Sequence, residues 1–240
     1  MSSTPTRRAP WLVPVLIVVV AAVLVTVSVV LSGREDAPEP AASPGPVADV
    51  VAPEEPPTID LARLEAEDPL AAGPVDAPVS LIVYSDYQCP FCASWAADTA
   101  PVMLEYAEAG DLRVEFRDIA VFGEESHTAA LAAYAAGLQD RYLDFHSALF
   151  PQGEKLPARG LTEEALVAKA GELGLDVERF TADLRSPEVA EAVQRNIDEA
   201  AAIGAFSTPA FLLAGQPILG AQPTEVFVTA VEQALSEAGA

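Results

Sequence analysis

Two cysteines offer the clearest chemistry in this sequence. Cys89 and Cys92 are the only cysteines in the chain, and Pro90 and Phe91 separate them. A zinc site would need two further thiolate or imidazole ligands at suitable spacing, and the chain has no second cysteine pair. A purely structural disulfide would close a very short loop and would stabilise the fold little. A redox-active dithiol is the interpretation that fits this spacing best.

The elements predicted around the pair favour a reactive thiolate at Cys89. Residues 79–84 read VSLIVY, a β-branched apolar run typical of a buried strand. The residues after Cys92 predict a helix that is kinked at Pro101 and ends at Gly110. The start of a helix has unpaired N–H groups and partial positive charge, which favour a thiolate over a thiol. We therefore expect Cys89 to be the exposed attacking sulfur and Cys92, one turn later, the buried resolving sulfur.

A second feature is the Thr208-Pro209 dipeptide, at the beginning of a strand predicted over residues 207–213. A proline at the start of a strand can follow a cis peptide bond. An ordinary strand-edge proline is the alternative. Gly215 then predicts a hairpin turn into a short partner strand over residues 217–219.

The order of the other elements indicates the fold class. Charged and apolar residues alternate over 112–119, which predicts a strand, and residues 126–203 have a helical pattern. A last helix is predicted over 222–235. The order is strand, helix, strand, helices, hairpin and helix, which predicts an α/β fold with an inserted helical block. We expect a capping or surface role for His127, partial burial of His146, and a core of the block formed by Tyr134, Tyr142, Phe145 and Phe150.

The N-terminal part of the chain predicts a membrane anchor. Residues 11–32 carry no charge, and as a helix they would be roughly 33 Å long, enough to cross the hydrocarbon core. Arg7 and Arg8 precede this segment, so residues 1–10 are expected in the cytoplasm and everything after Gly33 outside it. A cleaved signal peptide is the alternative. Both interpretations place the rest of the chain outside the cytoplasm.

A linker is predicted between the membrane segment and the folded domain. Residues 33–57 are rich in proline, alanine and acidic residues, a composition typical of an extended, stiff spacer. Residues 58–72 then show a weak helical pattern in Leu61, Leu64 and Leu70, which predicts a short helical element leading into the domain.

The composition excludes several classes of function. Hydrophobic residues make up 51% of the 240 residues, which excludes a fully disordered chain. The 36 acidic residues outnumber the 13 basic residues and give a formal net charge of −23. Contacts with a nucleic-acid backbone need clustered Lys and Arg, so we expect no nucleic-acid partner. The two histidines are too few for a metal cluster, and we expect neither a metal nor an organic cofactor.

These features together resemble the DsbA-like branch of the thioredoxin superfamily. The resemblance covers about residues 72–238 and rests on the cysteine pair after a strand, Thr208-Pro209 before a hairpin, and the helical block between them. The separation between the two motifs is too long for a minimal thioredoxin and suits a helical insertion. The lead-in Asp86-Tyr87-Gln88 is similar to that of membrane-anchored or secreted members of Gram-positive type.

The resemblance implies an activity and a site. Pro209 would be cis and face the disulfide, and Thr208 would present backbone groups to an extended substrate. The activity would be thiol–disulfide exchange with exported proteins. Oxidation is the expected direction because extracytoplasmic proteins keep structural disulfides, and a membrane redox partner would then reoxidise the pair. A reductase or isomerase, or a redox-inert peptide-binding module, are the alternatives.

The sequence departs from the family pattern at two positions. Phe91 stands where the strongest oxidants of the family carry histidine, and Val83 stands where several relatives carry a buried acid. Asp86 and Glu115 are candidate replacements for proton handling at Cys92. For each of them, a solvated or salt-bridged acid without a role in the chemistry is the alternative.

Overall fold

The computed structural model describes residues 58–239. In this part of the chain no helix combines the length and the apolar character needed to cross a membrane. The predicted cytoplasmic segment 1–10, transmembrane helix 11–32 and linker 33–57 lie outside the described residues.

Strands and helices follow one another in the predicted α/β order. The strands are β1 (Ala71–Ala72), β2 (Val79–Ser85), β3 (Leu112–Asp118), β4 (Ala210–Leu213) and β5 (Gln216–Leu219). The helices are α1 (Pro90–Asp98), α2 (Ala100–Ala109), α3 (Glu124–Gly137), α4 (Tyr142–Leu149), α5 (Glu163–Glu172), α6 (Val177–Leu184), α7 (Pro187–Ala202) and α8 (Thr224–Ala238). The helical block predicted over 126–203 is therefore confirmed as α3 to α7. The two-residue strand β1 was not predicted.

The strands form one five-stranded sheet in the order β1-β3-β2-β4-β5. The central strand β2 pairs in parallel with β3 and antiparallel with β4, so that Val83 lies opposite Phe116 on one side and Phe211 on the other. At the two edges of the sheet, β1 pairs antiparallel with β3 and β5 pairs antiparallel with β4. β4, which pairs with β2, is the first strand of the predicted hairpin. Because Ala210 lies opposite Tyr84, this pairing brings Thr208-Pro209 next to the C-terminal end of β2.

Alternate residues of β2 enter two different hydrophobic cores. Leu81 and Val83 belong to the larger core, which also contains Cys92 and Phe227. Ile82 and Tyr84 point to the opposite face, where a smaller core includes Ala200 of α7 and Leu212 of β4. The period of two in a strand explains this division. It places the cysteine pair on the face that carries the larger core.

The helix after the cysteines breaks at the predicted proline. α1 ends at Asp98 and α2 begins at Ala100, with Thr99 between them. Pro101 has no backbone N–H and its ring excludes a straight continuation of the preceding turn. Gly110 closes α2 with φ of 88°, a left-handed conformation that glycine adopts readily. The predicted kink and C-terminus are both confirmed.

The predicted helical element over 58–72 is wrong. Residues 58–70 run as irregular chain and turns, and Leu64 has φ of 49°, outside the helical region. The backbone N–H groups of Arg63 and Leu64 donate to the Glu115 carboxylate, at 3.0 and 2.8 Å. These tertiary hydrogen bonds take the donors that a local helix would have used. The packed part of the chain therefore includes Arg63 and Leu64, which precede β1.

Candidate active site

Cys89 occupies the N-cap of α1, where the sequence predicted a reactive sulfur. Its Sγ accepts a hydrogen bond from the backbone N–H of Cys92 at 3.4 Å, and its backbone is extended, with φ of −83° and ψ of 117°. Pro90 is the first helical residue, where its missing N–H leaves no bond unmade. Both cysteines carry free thiols in this structure. The sulfur of Cys89 therefore lies against the positive end of a helix.

The Thr208-Pro209 loop meets the cysteine pair from the other side. The peptide bond between these residues is cis, and Cys89 in its protonated form donates to the Thr208 carbonyl oxygen, which lies 3.2 Å from Sγ. Two motifs that are far apart in the sequence are thereby brought into contact, because β4 pairs with β2. The loop also buries the thiol. Cys89 is 1% exposed, so the prediction of an exposed sulfur is wrong for this structure.

The surroundings of Cys89 favour its charged form. The pKa of Cys89 is lowered from 9.0 to about 6, chiefly by a hydrogen bond from the Cys92 thiol. The backbone N–H groups of Cys92 and Phe91 act in the same direction, while burial opposes them. At neutral pH Cys89 is therefore mostly a thiolate, the form that attacks disulfides and is the better leaving group.

The surroundings of Cys92 have the opposite effect. Burial is the main cause that raises the pKa of Cys92 well above its usual range, and the hydrogen bond and negative charge of Cys89 raise it further. The Asp86 backbone and the Ser85 side chain offset this only in part. Cys92 therefore remains a thiol at neutral pH. One thiolate and one thiol, three residues apart, are the states that an attacking and a resolving sulfur need, and the roles assigned to Cys89 and Cys92 stay a prediction.

Asp86 lies beside the pair, but its carboxylate is directed at the loop that follows β3. The carboxylate accepts hydrogen bonds from the Ser126 hydroxyl at 2.6 Å and from the backbone N–H groups of Gln88, Val121 and Phe122 at 2.7, 2.7 and 3.2 Å. The backbone of Asp86, and not its carboxylate, faces Cys92. The structure therefore shows a structural role for Asp86 in joining two loops, and its predicted proton handling stays a prediction.

Glu115 is not brought to the cysteines. It lies opposite Ile82 in the sheet and so belongs to the face away from Cys92. Its carboxylate pairs with Arg117 and is fully buried. Burial alone would raise the pKa of Glu115, but hydrogen bonds from Arg63 and Leu64 and the charge of Arg117 together lower it. Glu115 is a salt-bridged acid, and no contact in this structure supports the predicted role at Cys92.

Comparison with known proteins gives the family. A family model described as "Thioredoxin" matches residues 65–233. The chain belongs to this thioredoxin family. A "Probable disulfide bond formation protein D" from Bacillus anthracis is 29% identical over 148 residues, which cover 60% of this chain and 68% of that protein. With the cysteine pair and the cis proline, these similarities confirm a DsbA-like thiol–disulfide oxidoreductase.

Solved structures of thioredoxin-family proteins share the architecture. A thioredoxin-like oxidoreductase from Silicibacter pomeroyi DSS-3 is 27% identical, with a TM-score of 0.59, and the match covers 70% of this chain and 97% of that one. BdbD from Bacillus subtilis is 24% identical with a TM-score of 0.61, covering 70% of this chain and 92% of that one, and shows the shared fold. The predicted thioredoxin fold with a helical insertion is therefore confirmed.

One group of relatives of this thioredoxin-family chain is much longer. A Na(+)/H(+) antiporter NhaA from Herminiimonas arsenicoxydans is 35% identical over 162 residues. The match covers 68% of this chain but 25% of the antiporter. This chain therefore spans about a quarter of the length of that relative.

Sequence reasoning missed a buried acid on the face of the sheet that carries the cysteine pair. Asp118, the last residue of β3, is fully buried and accepts hydrogen bonds from the phenols of Tyr87, at 2.9 Å, and Tyr142, at 3.1 Å. Burial is the main cause that raises the pKa of Asp118 from 3.8 to about 7. The strand pattern could have predicted this burial. Alternate residues of a strand lie on the same face, so Asp118 shares a face with the apolar residues Val114 and Phe116.

Aromatic residues enclose this acid in the thioredoxin-family core. The ring of His146 lies 5.6 Å from the rings of both Tyr87 and Tyr142, measured between centroids. His146 is 4% exposed, more buried than predicted, and burial lowers its pKa to about 4, so the imidazole is neutral at physiological pH. Tyr142, Phe145 and Phe150 are buried as predicted, while Tyr134 and His127 are half-buried.

Three exposed aromatic side chains belong to the segments that carry or adjoin the two motifs. Phe91 lies between the cysteines and is 65% exposed, and Phe206, two residues before Thr208, is 72% exposed. Phe122 is 52% exposed and belongs to the loop that Asp86 holds. A shallow apolar groove of about 180 Å³ adjoins Phe206. It is lined by Ile119, Ala120, Val121, Ile197, Ala200, Ala201, Ala205 and Phe206.

Proposed function

We propose that this oxidoreductase is an extracytoplasmic oxidase that introduces disulfides into exported proteins. The observation that carries the proposal is the unequal state of the two sulfurs, a Cys89 thiolate and a Cys92 thiol. A dithiol whose reduced form is stabilised makes a more oxidising disulfide. With a pKa of about 6, Cys89 favours its reduced form at pH 7 by about tenfold over an unperturbed thiol, which corresponds to about 30 mV.

The reaction proceeds in two exchanges. A substrate thiolate attacks Sγ of Cys89 in the oxidised pair, the Cys89–Cys92 bond breaks, and Cys92 leaves and takes up a proton. A second substrate thiolate then attacks the first substrate sulfur in the mixed disulfide. Cys89 leaves as a thiolate, which its surroundings stabilise, and the substrate carries away a disulfide. Two electrons pass from the substrate to the enzyme pair.

The rim of the site suits an unfolded substrate. Phe91, Phe122 and Phe206 expose large apolar side chains on the segments that carry or adjoin Cys89 and Thr208, and exposed apolar surface of this kind suits interaction with a partner. The Thr208 backbone is adjacent to the reacting sulfur and can pair with an extended chain. Exported proteins present extended, apolar, cysteine-containing segments before they fold. This proposal also agrees with the name of the Bacillus anthracis relative.

The proposal also includes the location of the enzyme at the cell membrane. Residues 11–32 are proposed to anchor the enzyme in the cell membrane, with residues 1–10 inside and the catalytic domain outside. A membrane redox partner is proposed to reoxidise the pair. Protease added to spheroplasts should digest the domain, whereas a signal peptide would give a shorter soluble form in the medium. Complete protection from protease would contradict both.

The midpoint potential of the cysteine pair in glutathione buffers tests whether the enzyme oxidises or reduces its substrates. We expect a value above about −180 mV, in the range of disulfide isomerases and stronger oxidants. The same protein should oxidise a reduced, unfolded substrate faster than it reduces insulin. A potential below about −250 mV, with rapid insulin reduction, would contradict the oxidase proposal and support a reductase. Absence of exchange in both assays would support the redox-inert binding module.

A further inference from the structure

The apolar groove beside Phe206, called the Phe206 groove below, connects the smaller hydrophobic core with the surface. Residues 119–121 line it from the loop after β3, and Ile197, Ala200 and Ala201 line it from α7. Ile119 and Ala200 are buried members of the smaller core, while Phe206 is 72% exposed. A large aromatic side chain is thus exposed beside an apolar surface that is already formed, and exposed apolar patches of this kind mark binding sites.

One side of the Phe206 groove is attached to the residues that precede the reacting sulfur. The backbone N–H of Val121 donates to the Asp86 carboxylate at 2.7 Å, and the Gln88 side chain donates to the Phe122 carbonyl oxygen at 3.3 Å. Asp86 and Gln88 lead directly into Cys89. The loop that lines the groove is therefore held against the segment that carries the site of exchange.

The other side of the Phe206 groove leads to the cis-proline loop. Phe206 stands two residues before Thr208, whose carbonyl oxygen lies 3.2 Å from Sγ of Cys89. β2 and β3 are parallel and β4 is antiparallel to β2, so the ends of β2 and β3 and the start of β4 meet at one edge of the sheet. Two residues of extended chain span at most about 7 Å. A substrate joined to Cys89 therefore reaches the groove with a residue about two or three positions from its own cysteine.

The lining of the Phe206 groove selects one kind of side chain. All eight lining residues have apolar side chains, so a charged or strongly polar group placed there would lose water without gaining a partner. The volume of the groove is about 180 Å³. An apolar cavity of about 150 Å³ holds a benzene ring. The groove therefore has room for one leucine, isoleucine, methionine or phenylalanine side chain.

We propose that the Phe206 groove binds a large apolar side chain of the substrate, about two or three residues from the substrate cysteine, and that Phe206 determines this preference. The inference rests on the proposed exchange of Cys89 with protein substrates and holds for oxidation and for reduction. Large apolar residues become buried when a protein folds. The groove thus favours substrate cysteines that end in a protein core over cysteines that stay on the surface.

The test compares reduced peptides that differ only beside a cysteine. Each peptide has two cysteines, and the residues two and three positions from the first cysteine are leucine in one peptide and asparagine in its partner. One pair carries the change on the N-terminal side of the cysteine and a second pair on the C-terminal side. Initial rates of peptide oxidation, with enzyme in catalytic amount and glutathione disulfide in excess, give kcat/KM. We expect the wild type to prefer leucine by about 10-fold in one pair, chiefly through KM, because an open groove buries only part of the side chain.

Two substitutions in the groove and one matched control complete the test. Phe206→Ser removes the exposed aromatic ring and Ala201→Asp places a carboxylate on the lining, so each should reduce the leucine preference to less than about 2-fold. Ala202→Asp makes the same change at the next residue of α7, which is exposed and does not line the groove, and should keep the wild-type preference. The preference is a ratio of two rates within one variant, so a general change in activity or in the folded fraction cancels.

Each contrary outcome identifies a different error. Equal kcat/KM for leucine and asparagine peptides in the wild type would overturn the inference and leave the exchange activity in place. A leucine preference that survives in Phe206→Ser and Ala201→Asp would overturn it too, as would an equal loss in Ala202→Asp. A wild-type dimer that Ala201→Asp dissociates in sedimentation would assign the groove to a second copy of the chain. Absence of exchange with every peptide and with dithiothreitol would refute the exchange activity itself.

Discussion

Replacing Phe91 with histidine should make the pair more oxidising. Phe91 lies between the two cysteines, and its backbone N–H already helps to stabilise the Cys89 thiolate. The phenylalanine side chain adds neither charge nor a hydrogen-bond donor. A histidine at this position would add both within reach of the sulfur. We therefore expect Phe91→His to lower the pKa of Cys89 further and to raise the midpoint potential.

The size of the effect follows from the present state of Cys89. An opposite charge close to a titrating group lowers a pKa by about 1–3 units. Phe91 is 65% exposed, so solvent screening argues for the lower end of that range, about one unit. The pKa of Cys89 is already about 6, so at pH 7 the thiolate dominates and nearly the whole shift is transmitted to the redox equilibrium. One unit is a tenfold change, or about 30 mV for a two-electron couple.

Two measurements check this prediction. Thiolate absorbance in the ultraviolet against pH gives the pKa of Cys89, and a glutathione titration gives the potential. Phe91→Leu is the matched control, because it changes the side chain at the same backbone position without adding a donor or charge, and both values should stay close to those of the wild type. If Phe91→His lowers the pKa of Cys89 but leaves the midpoint potential unchanged, thiolate stability does not set the potential of the pair and the reasoning is refuted.

Three other predictions concern the same chain. In the wild type, thiolate absorbance should rise with a midpoint near pH 6, because hydrogen bonds stabilise the Cys89 thiolate, and a midpoint near pH 9 would contradict the described surroundings. Cys89→Ser should abolish exchange, whereas Cys92→Ala should accumulate substrate adducts that a reducing agent releases, and adducts in Cys89→Ser alone would reverse the assigned roles. Arg117→Met would remove the nearer of the two guanidinium groups beside the buried Glu115 carboxylate and leave Arg113 at 3.8 Å, which should lower the free energy of unfolding by about 3–5 kcal/mol in urea titrations; a loss below about 1 kcal/mol would show that the pair with Arg117 is not needed.

Local sequence predicted the first half of the site. The strand ends at Ser85 and Cys89-Pro90 follows shortly after it, which favours a helix that begins at the first cysteine, because proline suits the first helical position. The kink at Pro101 and the end of the helix at Gly110 follow from the same kind of local backbone preference. These features depend on residues within a few positions of one another, so they are readable without a structure.

The sequence was less informative where distant residues compete with local preference. The leucine pattern over 58–72 predicted a helix, but Glu115 draws the backbone of Arg63 and Leu64 into tertiary hydrogen bonds. The exposure predicted for Cys89 failed for the same reason, since the Thr208 loop covers it. In both cases the local pattern was real, and a long-range contact decided the outcome.

The sequence by itself determined the chemistry of this protein, because two cysteines at a helix start and a Thr-Pro before a hairpin specify a redox pair and its family. Only the tertiary structure decided which acid of β3 lies on the face of the sheet that carries that pair. Glu115 and Asp118 lie three residues apart on β3, and the period of two in a strand places them on opposite faces of the sheet. The register with β2 then sets Asp118 beside Ser85 and Glu115 beside Ile82. Strand pairing joins residues that are far apart along the chain, and no local pattern near the cysteines encodes that register.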